Sequence, residues 1–378
     1  MPKRIMIIAG ESSGDFHSAS LIHALKTMDS DLEISGIGGE RMRQAGAKIY
    51  VDISELSIIG FTGVLANLKK IKQAFSTVLS AIDAQAPDVC VLVDYPGFNL
   101  KLASELKKRK IPVIYYISPQ IWAWWPGRIK TIKRLVDKMI VVFKFEEALY
   151  KEYGVDVSFV GHPLLDKAYP QISREDFLKK LGLSSHKQTI GLMPGSRRIE
   201  VERILPILLK SAKIIRQKLP QVQFALLKAP GLADNIFQAK IKKFDLPVVL
   251  CENQTYEFLN SCDFALVASG TATLETAIMQ TPMAIVYNVS FLNWLIARML
   301  IRLPFIGLVN VVAGKKIIPE FIQFQARPKS IAGCVLETLG SQEKLAKIKA
   351  ELEKVRASLG TSGASERAAK LILNSLIS

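Results

Sequence analysis

A wholly apolar run, Val89-Cys90-Val91-Leu92-Val93, ends in an acid, and Asp94-Tyr95-Pro96-Gly97-Phe98-Asn99 follows it directly. Such a run reads as a central strand of a parallel sheet, and a carboxylate at the carboxyl edge of that strand is placed to act as a general base. The plainer role for Asp94 is to cap the turn that Pro96 begins. A second acidic stretch, Gly10-Glu11-Ser12-Ser13-Gly14-Asp15-Phe16-His17, leaves the strand Ile5–Ala9 and opens a helix. Glycines at a helix N-terminus are the layout of a phosphate cradle. Glu11 and Asp15 would repel a phosphate, however, and Gly10-xxx-Gly14 does not fit G-x-G-x-x-G, so the loop needs another task.

Groups that suit phosphate lie in the second half. Pro194-Gly195-Ser196-Arg197-Arg198 follows the strand Thr189–Met193 and offers backbone N–H groups and a guanidinium fork to a diphosphate. Ser269-Gly270-Thr271-Ala272-Thr273-Leu274-Glu275 follows the strand Phe264–Ala268. There the helix start would hold a diphosphate, while Glu275, one turn on, could chelate two ribose hydroxyls; alternatively Thr271 and Glu275 only stabilise the helix start. Asn310, after a short strand near Leu308-Val309, has an amide to offer a phosphate or a sugar.

These loops need strands to hold them at one edge. Ile5–Ala9, Leu32–Gly36, Val89–Asp94, Val113–Ile117, Met139–Val142 and Val157–Val160 alternate with helix-length segments. A second such series runs Thr189–Met193, Gln223–Lys228, Val248–Cys251, Phe264–Ala268, Met283–Tyr287 and Leu308-Val309. Both predict α/β architecture: two doubly wound Rossmann-like domains facing a cleft. Composition agrees, since 378 residues, 49% of them hydrophobic, suit two ordinary cores. We place an N-terminal domain at 1–168, a C-terminal domain at 169–355, and a final helical segment at 356–378 that crosses back to the N-terminal domain.

Cys90, Cys251, Cys262 and Cys334 are scattered in apolar surroundings, and the four histidines form no ligand spacing, so neither a disulfide nor a metal site is expected. The start of the chain reads as a buried strand rather than a signal peptide, which predicts a cytoplasmic protein. The net charge of +16 implies an anionic partner. Residues 60–80, 101–134 and 291–316 carry nearly the whole excess, and each is apolar as well as basic. In the first, Val64, Leu65, Leu68 and Ile71 interleave with Lys69, Lys70 and Lys72; in the last, Trp294 stands near Arg298 and Arg302. Trp122, Trp124 and Trp125 precede Arg128 and Lys130 in the middle one. None offers the ~20 uncharged apolar residues of a span, so these segments are expected to lie on an anionic membrane surface. Nucleic acid is not expected, because the cations are set in apolar sequence without a recognition motif.

Seven motifs in order resemble the lipid-A-disaccharide synthase family over essentially the whole chain. They are Gly10-Glu11-Ser12-Ser13-Gly14-Asp15, Asp94-Tyr95-Pro96-Gly97-Phe98-Asn99, Ser118-Pro119-Gln120-Ile121-Trp122-Ala123-Trp124, Phe159-Val160-Gly161-His162, Pro194-Gly195-Ser196-Arg197, Ala268-Ser269-Gly270-Thr271-Ala272 with Glu275, and Asn310-Val311-Val312-Ala313-Gly314. The resemblance implies an inverting GT-B glycosyltransferase of lipid A assembly, without cofactor or bound metal. It would act at the cytoplasmic face of the inner membrane of Gram-negative bacteria, with a homodimer left open. Such enzymes transfer 2,3-diacylglucosamine from its UDP conjugate to the 6-hydroxyl of 2,3-diacylglucosamine 1-phosphate, forming a β(1→6) disaccharide and UDP. Many members carry a second acid three positions after the Asp94 equivalent, where this chain has Gly97. Its task would be absent here or fall to Glu11, Asp15 or His17.

With the nucleotide assigned to Gly195, Ser196, Arg197, Ser269, Gly270, Thr271, Glu275 and Asn310, the first loop belongs to the acceptor. Glu11, Asp15 and His17 would support Asp94, and Ser12, Ser13, Gly14, Asn99, Gln120 and Trp122 would line the acceptor side. Two other readings share the fold: a soluble UDP-sugar enzyme such as a UDP-N-acetylglucosamine 2-epimerase, and a silent UDP-sugar-binding protein on a membrane surface. The basic apolar segments disfavour the first, and the acidic and basic side chains at the strand ends disfavour the second.

Overall fold

The computed structural model describes residues 2–56, 68–119, 127–291, 294–295 and 304–376. Val64, Leu65, Gln120, Trp122, Trp124, Trp125, Arg298 and Arg302 lie outside the described residues. The chain divides into one unit formed by Met1–Asp166 with Leu359–Ser378, and a second formed by Lys167–Ser358.

The first unit is built on a parallel sheet ordered β3-β2-β1-β4-β5-β6-β7. Its strands are β1 (Arg4–Ala9), β2 (Glu33–Gly38), β3 (Lys48–Asp52), β4 (Val89–Val93), β5 (Val113–Tyr116), β6 (Lys138–Val141) and β7 (Val157–Phe159). All of β4 is buried, as a strand covered on both faces must be. β3 was not anticipated: Lys48-Ile49-Tyr50-Val51-Asp52 is an edge strand closed by charges at both ends, so it lacks the continuous apolar run of its neighbours. Strand order reverses between β1 and β4, the position where open sheets of this kind bind ligands. Gly10 and Asp94 follow those two strands. The helices that bear on this edge are α1 (Ser12–Met28), α2 (Glu40–Gln44), α3 (Leu68–Gln85) and α4 (Pro96–Lys108). In α3, Ala74, Val78, Ala81 and Ile82 recur at helical spacing and form its buried face.

The second unit repeats the plan in a sheet ordered β10-β9-β8-β11-β12-β13. Here β8 is Thr189–Met193, β9 Gln223–Lys228, β10 Val248–Glu252, β11 Phe264–Ala268, β12 Met283–Tyr287 and β13 Glu320–Ile322. The reversal falls between β8 and β11, whose carboxyl ends lead into Pro194-Gly195-Ser196-Arg197 and Ser269-Gly270-Thr271. The helices used below are α5 (Arg198–Lys218), α6 (Asp234–Phe244), α7 (Ala272–Ile278), α8 (Leu308–Ala313) and α9 (Pro328–Leu339). The strand expected at Leu308-Val309 is the start of α8, and the sheet closes on β13 instead. Each unit is thus a doubly wound, Rossmann-like domain.

A last helix, α10 (Ala364–Asn374), returns to the first unit and packs on α1. Asp166 takes the backbone N–H of Gly363 at 2.6 Å, and the Arg367 guanidinium donates to the Val160 carbonyl at 2.8 Å.

Candidate functional site

In the first unit the chain leaves β4 through two consecutive left-handed residues, Asp94 at φ 44° and Tyr95 at φ 47°. Non-glycine residues reach this region at a cost of about 1–3 kcal/mol each, so the surroundings must hold them there. Asn99, on the first turn of α4, donates from its amide to the Asp94 carbonyl at 2.7 Å and the Val93 carbonyl at 3.1 Å. The Tyr115 hydroxyl donates to the same Asp94 carbonyl. Gly10 supplies the space: a Cβ there would lie 2.2 Å from Cδ1 of Tyr95. Both strand-end loops of the switch point therefore meet at the Asp94–Tyr95 turn.

Burial pushes the Asp94 carboxyl up to about 7, the negative charge of Glu11 adds to the rise, and the Tyr95 N–H opposes it. A carboxylate in this range is a far better proton acceptor than an ordinary aspartate and still ionises near neutrality. Glu11, Ser12 and Ser13 are exposed beside it, while Gly14 is buried against Ala9.

Three expected roles change. Asp15 is 4% exposed, and its carboxylate accepts the N–H groups of Gly39 at 2.7 Å, Met42 at 3.2 Å and Arg41 at 3.3 Å. It anchors the start of α2 and is not a group facing the acceptor. Asn99 is wholly buried and spends both amide hydrogens on the carbonyls beneath Asp94, so it positions the turn rather than lining an acceptor surface. His17, 7% exposed, packs edge-on against His162 with ring centroids 6.0 Å apart. Burial, and secondarily His17, hold the His162 imidazole well below the usual range. His162 therefore stays neutral, and its Nδ1 accepts the Leu164 N–H at 3.2 Å. The pair joins the start of α1 to the loop after β7.

In the second unit, Gly195 adopts φ 110°, and a Cβ there would come 2.5 Å from Oε2 of Glu200. That oxygen accepts the N–H of Ser196 at 3.1 Å and of Arg197 at 3.3 Å. The amides expected to face a diphosphate are thus covered by Glu200, a correction that sequence spacing could not supply. The Arg197 guanidinium is half exposed and only 3.5 Å from the other Glu200 oxygen. Glu275 shows a pattern like that of Asp94. Burial raises its carboxyl to about 7, and the Tyr256 hydroxyl, donating at 3.3 Å, opposes the rise. The Thr271 side chain makes no capping hydrogen bond, and Glu275 lies on the first turn of α7. Gly270, at φ 147°, gives its carbonyl to Thr273, and the Ser269 hydroxyl donates to the Ile306 carbonyl at 3.1 Å.

Asn310 is a second correction. It is 0% exposed, its amide donates to the Ile318 carbonyl at 2.8 Å and to Glu320 at 2.9 Å, and its oxygen accepts the N–H groups of Ile317 and Ile318. Its hydrogen bonds go to the segment leading into β13, and none is left for a phosphate or sugar. Tyr115, Tyr256 and Glu200 had no signal of their own, since each acts on a residue distant in sequence or through a backbone amide.

Of the membrane residues, Leu68 is 45% exposed and Lys69, Lys70 and Lys72 stand in solvent, while Ile71 packs with Phe75 and Leu79 on the core. Trp294 belongs to an aromatic trio with Phe291 and Phe324. Among the described residues no helix is long and apolar enough to cross a membrane.

A family model described as lipid-A-disaccharide synthetase matches residues 5–374. The lipid-A-disaccharide synthase of Syntrophus aciditrophicus strain SB is 45% identical over 372 residues, covering 98% of this chain and 97% of that protein. The structure of a UDP-GlcNAc 2-epimerase from Neisseria meningitidis, bound to UDP-GlcNAc, superposes with a TM-score of 0.61 at 12% identity, covering 99% of each chain. The glycotransferase of kitacinnamycin superposes with a TM-score of 0.64 at 14% identity over 100% of both chains. Two different activities share this fold, so the fold alone does not select between them.

Proposed function

The chain belongs to the lipid-A-disaccharide synthase family, a family of glycosyltransferases, and on that premise we propose that it transfers 2,3-diacylglucosamine from its UDP conjugate to the 6-hydroxyl of 2,3-diacylglucosamine 1-phosphate. The observation that carries the reading is Asp94: a carboxyl at the end of β4, on a strained turn, raised to about 7. Asp94 takes the proton of the acceptor hydroxyl as its oxygen bonds to the anomeric carbon. The bond from that carbon to the UDP oxygen breaks with inversion, and the electron pair leaves with the diphosphate. Arg197 and the loop Ser269-Gly270-Thr271 stabilise the charge that develops on the leaving group. Glu275, with Tyr256 behind it, receives the ribose hydroxyls. Glu11, Ser12 and Ser13 face the acceptor sugar. For Arg197 to reach the diphosphate it must exchange its weak contact with Glu200 for the stronger anion.

The second part of the reading concerns place. Both substrates carry acyl chains, which would draw the enzyme to a lipid surface. Leu68, Lys69, Lys70 and Lys72 offer an apolar and basic contact for the cytoplasmic face of the inner membrane.

The test is transfer of radiolabel from the UDP donor to the 1-phosphate acceptor by the native chain, Asp94→Asn and Asp94→Ala. Native protein should form the disaccharide, and both variants should lose about 10²- to 10⁴-fold in turnover. Epimerised donor without disaccharide would replace the reading; full activity in both variants would move the base elsewhere.

A further inference from the structure

The reaction uses no residue of the face where α5, α6 and the start of α9 meet in the second unit. An open hollow of about 780 Å³ lies there, with Lys210, Lys213, Arg327 and Lys329 set around Ile214 and Phe244. Among the described residues no carboxylate pairs with Lys210, Lys213 or Lys329. Arg327 and Ser330 continue into a second hollow of about 530 Å³, which adds Lys316, Phe321 and Phe324. Its one acid, Glu320, is 8% exposed and already accepts from Ile306, Gly307 and Asn310.

Phe324 ties this basic tract to exposed aromatic surface. It is 61% exposed, as is Phe291, and Leu295 is 41% exposed. The Phe324 ring lies 5.5 Å from that of Trp294 and 6.4 Å from that of Phe291. Water serves neither half of this arrangement well: the rings remain hydrated and the clustered ammonium groups repel one another. An anionic lipid–water boundary serves both, because rings enter at headgroup depth while lysines meet phosphate. Charge complementarity therefore selects the occupant.

We propose that this face docks on the headgroup layer of an anionic phospholipid bilayer, with a lipid phosphate among Lys210, Lys213 and Lys329, and with Phe291 and Phe324 entering the acyl boundary. The site is separate from the Leu68–Lys72 contact of the first unit and rests on the membrane part of the reading above. It gives the donor-side unit its own hold on the surface that supplies the acylated donor.

The test is cosedimentation of the whole chain with vesicles of phosphatidylcholine alone and of phosphatidylcholine with phosphatidylglycerol. Each cation near an anionic surface is worth roughly fivefold in partition. The variant Lys210→Gln/Lys213→Gln/Lys329→Gln should therefore bind the anionic vesicles at least about tenfold more weakly. It should keep native transfer on detergent-dispersed substrates and a native melt. Phe324→Ser, a change at an exposed position, should lower binding to the same vesicles with all charges in place. Unchanged binding of both variants to anionic vesicles overturns this site and leaves the membrane reading standing. Failure of the native chain to bind anionic vesicles overturns both. A change in the sedimentation of the protein alone, without an effect on vesicles, assigns the face to a second copy and overturns the proposal.

Discussion

Burial raises the carboxyls of Asp94 and Glu275 to about 7, one at the switch point of each sheet. In both cases the folded chain holds the proton more tightly than the unfolded chain does. The stabilisation that follows is fully present below the unfolded value, near pH 4, and is lost as pH rises through about 7. Activity runs the other way, because only the ionised Asp94 accepts a proton. The pH profile of kcat/KM should therefore rise with unit slope to an inflection near 7 while the melting temperature falls across the same interval. Glu11→Gln removes the negative charge that adds to the Asp94 rise, so the inflection should move to lower pH with turnover above it largely kept. An inflection that does not move would separate Glu11 from the base. Asp94→Asn, which tolerates the left-handed backbone, should melt higher than native at pH 8 while failing to transfer. Calorimetry and the transfer assay on the same samples decide both points.

At the scale of elements, the difference between legible and illegible residues has a physical cause. β4 and the loop after it were legible because a strand covered on both faces must be continuously apolar, and an acid ending it stands out. The positions of Arg197 and Glu275, in the segments that follow the wholly buried strands β8 and β11, were legible in the same way. What could not be read were side chains whose partners are backbone amides far along the chain. Asp15 serves the N–H groups of Gly39, Arg41 and Met42 on α2, and Asn310 serves those of Ile317 and Ile318. Neither pairing leaves a trace in composition or period. Leu308-Val309-Asn310-Val311-Val312 misled differently, since its β-branched residues favour a strand while the network around Glu320 fits a short helix. Asp15 and Asn310 should behave as structural residues. Asp15→Ala leaves buried amides without an acceptor and should cost about 1–3 kcal/mol in urea unfolding, while retained protein keeps its pH profile. A shifted inflection at native stability would return Asp15 to the chemistry.

Across the whole molecule, the two units differ in how the chain closes them. The second is continuous, Lys167–Ser358, with a core gathered along β8, β9, β11, β12, α5 and α9. The first is closed by the last helix, whose Ala364, Ala368, Ala369 and Ile372 are buried. The Arg367 guanidinium donates to the Val160 carbonyl, Asp166 receives the Gly363 N–H, and the backbone N–H of His162 donates to the Leu359 carbonyl at 2.9 Å. Gly161 permits that approach: at φ 84°, a Cβ would sit 2.9 Å from the Arg367 guanidinium and 3.2 Å from the Leu359 carbonyl oxygen. The same loop holds His162 against His17 at the start of α1, so the end of the chain supports the loop that carries Glu11. A fragment of residues 167–358 should therefore unfold cooperatively by itself. Residues 1–166 alone should lack a cooperative transition and regain one when a peptide of residues 359–376 is added, because an unclosed α1 exposes a core face. Cooperative unfolding of 1–166 without the peptide would show that the return of the chain is an addition to the first unit rather than a part of its core.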